Sequence, residues 1–238
     1  MSKRVVQASR SHRRRVTASG IWYVEANGSD TEINCGSDAS LDDLPAADFT
    51  IEGWARRDGD GEAYAQLFDA WNHAGTGQGG GTGFFIAYQN QAYTTYLYLC
   101  HATTDAAIYT STPTPQAAWF HWAFVWDVAT KRPTYYLQGA DGTGSVQAGA
   151  GAYQSDAANN KKPLFAGHAL LGAAGGVRIS DHKRYTAAFD PPSRTSPPAV
   201  DANTVEQWNM NDAGGTTSAA LVSSNNNGTL ANGVWRYG

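Results

Sequence analysis

Cysteine and methionine are scarce in this chain, two of each in 238 residues. The two cysteines, Cys35 and Cys100, allow one disulfide at most, which excludes a small disulfide-stapled scaffold. Both stand in strand-like text, and the opening Met1-Ser2-Lys3-Arg4-Val5-Val6 lacks the apolar core of a secretory signal. Buried thiols in a protein outside the general secretory route are therefore expected. No apolar run approaches the roughly 20 residues that a membrane span requires. Segments with a helical period of convincing length are missing as well. The six histidines and two cysteines show no zinc spacing.

Charged residues make up 16% of the chain, and they are unevenly placed. Lys3, Arg4, Arg10, Arg13, Arg14 and Arg15 stand in residues 1–15 with no acid among them. That leaves 11 basic against 21 acidic residues elsewhere, a basic arm on a body of net charge −10. Such an arm binds an acidic partner surface or nucleic acid, or stays solvated. The negative body disfavours nucleic acid.

Glycine (26 residues) and aromatics (12%) are plentiful, which suits a sheet protein rich in turns. Alternation dominates the text. In Phe49–Arg56 one face carries Phe49, Ile51, Gly53 and Ala55, and the other Thr50, Glu52, Trp54 and Arg56, the pattern of a half-buried strand. Trp22–Glu25 and Thr31–Cys35 flank Asn27-Gly28-Ser29-Asp30, a hairpin turn. Further strands are expected at Tyr64–Trp71, Phe84–Gln89, Thr94–Cys100, Ala107–Thr110, Phe120–Asp127, Thr134–Gln138, Leu164–Gly167, Val177–Ser180, Val205–Asn209 and Val234–Tyr237. Asp190–Ala202, with four prolines, reads as a linker. Two strands after it are too few for a domain, so it is expected to return them to the same sandwich. The expected organisation is an arm, residues 1–19, and one all-β domain, residues 20–238.

Gly176-Val177-Arg178-Ile179-Ser180, continuing through Arg184-Tyr185-Thr186-Ala187-Ala188-Phe189-Asp190-Pro191-Pro192, resembles the closing motif of laminin-G-like, concanavalin-A-like jelly rolls, in the form common in virion proteins of tailed bacteriophages. Tyr23-Val24-Glu25 with Asp48–Trp54 is similar to the opening hairpin and first core strand. Trp119–Asp127 followed by Thr134–Gly139, and Val205–Asp212 with Gly228-Thr229-Leu230, match later parts in order. The resemblance implies an antiparallel concanavalin-A-like (laminin-G-like) jelly-roll sandwich. It further implies a non-enzymatic virion structural protein, a capsid decoration or accessory protein docked through its arm onto the major capsid or tail protein. A symmetric homo-oligomer on the virion surface would follow. The alternative it carries is a carbohydrate-binding, lectin-like adhesin of a tail or fibre that attaches to host glycans. Many relatives place an Asp-Glu pair before the Val-Arg-Ile strand, where this chain has Gly175-Gly176, so no role of those carboxylates transfers.

Candidate chemistry is sparse. Glycosidases on this sandwich need two carboxylates spaced along a strand, but Glu52 stands alone on its strand and Asp127 ends its own. Asp58-Gly59-Asp60-Gly61-Glu62 is flexible loop text. His121 lies opposite the Phe120/Trp122/Phe124/Trp126 face and is expected as a hydrogen-bonded structural histidine. Gly75-Thr76-Gly77-Gln78-Gly79-Gly80 fits the dinucleotide pattern, but a strand follows it instead of a helix. Calcium could find hard oxygens at Asp30, Asp38, Asp42, Asp43 and Asp69, without a calcium-loop pattern. For sugar, Trp71-Asn72-His73, Tyr153-Gln154 and Asn159-Asn160 offer an aromatic platform with amides. The plainer reading is that Trp71 caps the core and the amides serve turns.

Overall fold

The computed structural model describes residues 21–36, 38–41, 44–59, 64–69, 83–89, 94–100, 105–130, 132–138, 140–142, 145–146, 164–165 and 170–238. The strands, in chain order, are β1 (Trp22–Asn27), β2 (Glu32–Asn34), β3 (Phe49–Arg57), β4 (Tyr64–Asp69), β5 (Gly83–Gln89) and β6 (Thr94–Cys100). They continue with β7 (Asp105–Pro113), β8 (Trp119–Asp127), β9 (Arg132–Leu137), β10 (Ala140–Gly142), β11 (Ser145–Val146) and β12 (Leu164–Phe165). β13 (Leu171–Ser180), β14 (Thr204–Trp208), β15 (Thr217–Ser218), β16 (Gly228–Ala231) and β17 (Val234–Tyr237) complete the set.

Every strand pair is antiparallel, and the strands fall into two sheets. The first runs β10-β9-β8-β3-β13-β1-β17, with β14 also on β13, and the second runs β11-β7-β6-β5-β4-β12-β2-β16-β15. One edge of β13 serves two partners in succession. Leu171–Ala174 pair with β1 and Val177–Ser180 pair with β14, while the other edge pairs with β3 throughout. The change of partner falls at Gly175-Gly176, where the β3 register also shifts. Side chains there have no room: a Cβ on Gly175 would lie 2.9 Å from Trp54 Cβ, and one on Gly176 3.0 Å from the Trp208 carbonyl. The glycines that replace the Asp-Glu pair are therefore a packing requirement of this bulge.

Between the sheets lies a core of Phe49, Ile51, Phe120, Trp122, Phe124 and Trp126 from the first, packed against residues such as Ile33, Phe68 and Ile86 from the second. Each buried phenylalanine or isoleucine contributes about 1.5–3 kcal/mol of transfer free energy. Period-2 alternation places these side chains inward, as the sequence predicts.

The outer face of the first sheet departs from expectation. Thr50, Glu52 and His121 face away from the core yet are 0, 3 and 1% exposed. The segment between Asp181 and Asn203 crosses this face as a strap, so β3 is covered on both sides. Ala123, Val125 and Tyr136 form a second, smaller core with Tyr185 and Phe189 of the strap. The Pro-rich Asp190–Ala202 thus returns the chain to the sandwich, as expected, by passing over it. Four strands follow it where two were expected. Thr217–Ser218 and Gly228–Ala231 are too short for alternation to show.

Candidate functional site

The chemistry of the described residues concentrates under the strap. Strand β3 delivers Glu52, β8 delivers His121 and β13 delivers Arg178, which stands opposite Glu52 in register. Arg178 Nε donates to Glu52 Oε1 at 2.8 Å, and its Nη2 donates to the same oxygen. The Tyr185 hydroxyl, brought in by the strap, donates to Oε2. His121 Nε2 lies 3.3 Å from Oε2, close enough for attraction but without an aligned hydrogen bond. Burial pushes the Glu52 carboxyl up, but the His121, Arg178 and Tyr185 contacts outweigh it and hold the group at about 2. The Tyr185 hydroxyl moves the other way, raised by burial and then by the Glu52 charge. The sequence shows Glu52 as a lone carboxylate because its partners arrive from 126 and 133 positions away.

The strap is pinned along its length. Thr50 Oγ1 donates to the His182 carbonyl at 2.7 Å and accepts from Arg184 N–H at 3.0 Å. Arg184 forks onto Asp201 with bonds of 2.9 and 2.8 Å, closing the strap on itself. The Tyr185 and Phe189 rings stack at 3.5 Å. Farther on, Arg194 lies over the Trp119 ring at 4.5 Å and donates to the Gly238 carbonyl, while Gln207 Nε2 donates to the Pro198 carbonyl at 2.8 Å.

Between the second half of the strap and the sheet lies a narrow recess of about 30 Å³, room for a water or two. Glu52, Trp54, His121, Arg194, Gln207 and Asn209 contribute to its lining. Glu52 is the one carboxylate there, and it is already engaged. Polar atoms without a hydrogen-bond partner gather at the same place: His121 Nδ1, Gln207 Oε1 and Arg194 Nη1. His121 is thus a buried structural histidine whose Nε2 faces Glu52 and whose ring is held edge-on by Trp54 and Phe189.

A second buried carboxylate, Glu206, is saturated. Its Oε1 accepts from Gln207 and Val222 N–H, and its Oε2 from Ser223 N–H and the Asn226 amide. This fixes the segment between β15 and β16 and leaves no oxygen for chemistry. Nearby Cys35 is fully buried and free, as expected, with its thiol pushed well up by burial and then by the Glu206 charge. The Cys100 side chain lies outside the described residues.

The arm residues Lys3, Arg4, Arg10, Arg13, Arg14 and Arg15 also lie outside the described residues, as do Trp71, Asn72, His73, Tyr153, Asn159 and Asn160. Of the candidate calcium ligands, Asp42 and Asp43 and the side chain of Asp69 lie there too. Asp38 accepts from Ser40 N–H and the Asn225 amide, and Asp30 from the Asn27 and Asn232 amides. Among the described residues no three metal-ligating groups converge.

Residues 27–190, more than half of the chain, match the laminin G-like family described as the concanavalin A-like lectin/glucanases superfamily. The chain belongs to that superfamily. Within the concanavalin A-like fold, a candidate carbohydrate-binding protein from Bacteroides ovatus superposes with a TM-score of 0.62 at 13% identity, over 91% of this chain and 59% of that one. The chain therefore spans less than two thirds of that protein. The carbohydrate-binding module CBM40 of a Ruminococcus gnavus IT-sialidase gives a TM-score of 0.49 at 12% identity, over 70% of this chain and 93% of that one. A heptameric SAP-like pentraxin from Limulus polyphemus gives 0.48 at 12% identity, over 70% and 78%. At these identities the likeness is one of fold. No curated protein matches this concanavalin A-like chain in sequence.

Proposed function

We propose that the chain is a carbohydrate-binding, lectin-like module without catalytic activity. The observation that carries this reading is membership of the concanavalin A-like lectin/glucanases superfamily across residues 27–190. It is supported by the superposition of 91% of the chain on a candidate carbohydrate-binding protein. Glycoside hydrolysis needs two carboxyl groups, about 5–10 Å apart, flanking the scissile bond. The recess under the strap is lined by one, and Arg178 and Tyr185 occupy it.

The test is a glycan array probed with the full chain, beside turnover assays on an oligosaccharide panel. The expected result is binding to a discrete group of glycans with no turnover. An array without a single bound glycan would sink the reading, and hydrolysis would replace it with an enzyme. Trp71→Ala asks whether the loop aromatic contributes.

The place of display is a separate matter. The motif order and the six basic residues of the arm support a virion protein docked on a capsid or tail, in a symmetric homo-oligomer. A lectin-like module can serve in either position. Quantitative mass spectrometry of purified particles against the major capsid protein decides it. Parity with the shell protein means decoration, a few copies mean the tail, and absence removes the virion reading.

A further inference from the structure

In the second sheet β2 and β16 lie side by side, with Asn34 opposite Thr229 and Glu32 opposite Ala231. Ile33, Cys35 and Leu230 belong to the core, so alternation turns Glu32, Asn34, Thr229 and Ala231 to the outer face. Together with Gly36 and the turn residues Asn225 and Asn227 they line a groove of about 470 Å³, within the roughly 300–1,000 Å³ of ligand pockets. Asn225, Asn227 and Thr229 are exposed, whereas Glu32, Asn34 and Gly36 are half-buried. The wall is held from behind. Buried Glu206 accepts from Val222 N–H, Ser223 N–H and the Asn226 amide, and Trp208 Nε1 donates to the Asn226 carbonyl at 2.7 Å. These bonds fix the turn that carries Asn225 and Asn227. Gly36, at φ +79°, lets that turn close onto the end of β2, since a Cβ there would collide with the Asn225 carbonyl oxygen.

Each amide in the groove has one end tied down, which settles its orientation. Asn34 Oδ1 accepts from Gly36 N–H at 3.2 Å and Asn227 Oδ1 from Ala220 N–H at 2.9 Å, leaving both Nδ2 groups as donors. Asn225 Nδ2 donates to Asp38 Oδ2 at 3.1 Å, leaving its own Oδ1 as an acceptor. The Glu32 carboxylate and the Thr229 hydroxyl have no partner among the described residues. Fixed donors beside acceptors suit sugar hydroxyls, each of which donates one bond and accepts others. The one charge in the lining is negative, and Asp38 stands behind Asn225, so an acidic ligand would meet like charge. We infer that this groove is a glycan-binding site for neutral sugars, with Glu32 and Asn225 Oδ1 accepting from ligand hydroxyls and the Asn34 and Asn227 amides donating to them. The inference rests on the carbohydrate-binding reading and adds the location and the ligand class.

The experiment compares the full chain with its Glu32→Ala and Asn34→Asp variants on one array of neutral and acidic glycans. Beside it, the unaltered chain is titrated with lactose, maltotriose, mannotriose and chitotriose and followed by protein NMR. The parent is expected to hold neutral glycans and to pass over sialylated and uronic ones. Each variant should weaken that binding about tenfold, the loss of one hydrogen bond. At least one oligosaccharide should shift the side-chain amide resonances of Asn34 and Asn227 saturably. Should Asn34→Asp not fold, Glu32→Ala and the titration still decide, and should none of the four oligosaccharides bind, the variants on the array decide. Binding that is unchanged in the variants, that leaves both amides in place, or that prefers acidic glycans overturns the groove while the module reading stands. An array without a bound glycan removes both.

Discussion

Arg178 and Glu52 stand directly opposite each other on neighbouring strands, and the guanidinium Nε meets the carboxylate Oε1 at 2.8 Å with both groups sealed beneath the strap. Removing one partner strands the other as a buried charge. Arg178→Ala should cost about 3–5 kcal/mol in urea unfolding, whereas a matched pair of apolar residues at both positions should come close to the parent. A single variant of parental stability would mean that water reaches the carboxylate.

Acid sensitivity follows from the same group. Its folded-state carboxyl titrates at about 2 against an ordinary 4.5, so the unfolded chain binds the proton first. This contribution is complete above pH 4.5 and is lost as pH falls towards 2. Denaturation midpoints between pH 7 and pH 2 should therefore drop in that window, and Glu52→Gln should lack this part of the acid limb. Parallel curves for parent and variant would refute the assignment.

Tyr185→Phe keeps the ring stacked on Phe189 and removes the hydroxyl bond to Glu52. Hydrogen bonds to a charged group contribute about 1.5–3 kcal/mol, so a loss of that order is expected. Limited trypsin digestion should cut residues 181–203, at Lys183, Arg184 or Arg194, faster in the variant than in the parent. Equal rates of strap cleavage in the two would show that the hydroxyl does not hold it down.

Gly172 sits where β13 passes β3, and a Cβ there would lie 1.9 Å from the Arg56 carbonyl oxygen. Backbone in a paired strand cannot yield that distance. Gly172→Ala should destabilise by about 3 kcal/mol or more, seen as a lowered melting midpoint or insoluble expression. A variant melting with the parent would mean that the two strands are free to separate.

Cys35 should resist alkylation. Its thiol is buried and pushed well up by burial and the Glu206 charge, so the reactive thiolate is scarce at pH 8. Iodoacetamide labelling read by peptide mass spectrometry should be negligible in the native protein and complete in urea. Rapid native labelling would contradict the packing around it.

Much of the fold is legible in the sequence because alternation is a local property. Phe49, Ile51 and Ala55 face inward as their spacing says, and the apolar text of Trp119–Trp126, interrupted by His121, fits a strand covered on both sides. What alternation cannot supply is the identity of the second cover. Glu52 reads as solvent-facing until Tyr185 and Phe189 fold back over it. His121 on β8, Gln207 on β14 and Arg194 on the strap come together only when β8, β3, β13 and β14 and the strap are assembled. Tyr185 and Phe189, two aromatics in an otherwise polar excursion, were the available signal. Arg194 and Gln207 gave none, since a surface arginine and a strand glutamine are ordinary text.

In the first sheet β1 lies between β13 and β17, and Ile21 and Gly238 exchange both backbone bonds at 3.2 Å. A chain emerging from the ribosome therefore makes Trp22–Asn27 long before either neighbour exists. That strand stays an unsatisfied edge until Leu171–Ala174 has been translated, and it is enclosed only by the last residues of β17. Folding of this sandwich is consequently held back until β17 has been translated. The nascent chain meanwhile displays aromatic strands that must be kept from pairing with one another or with neighbouring chains.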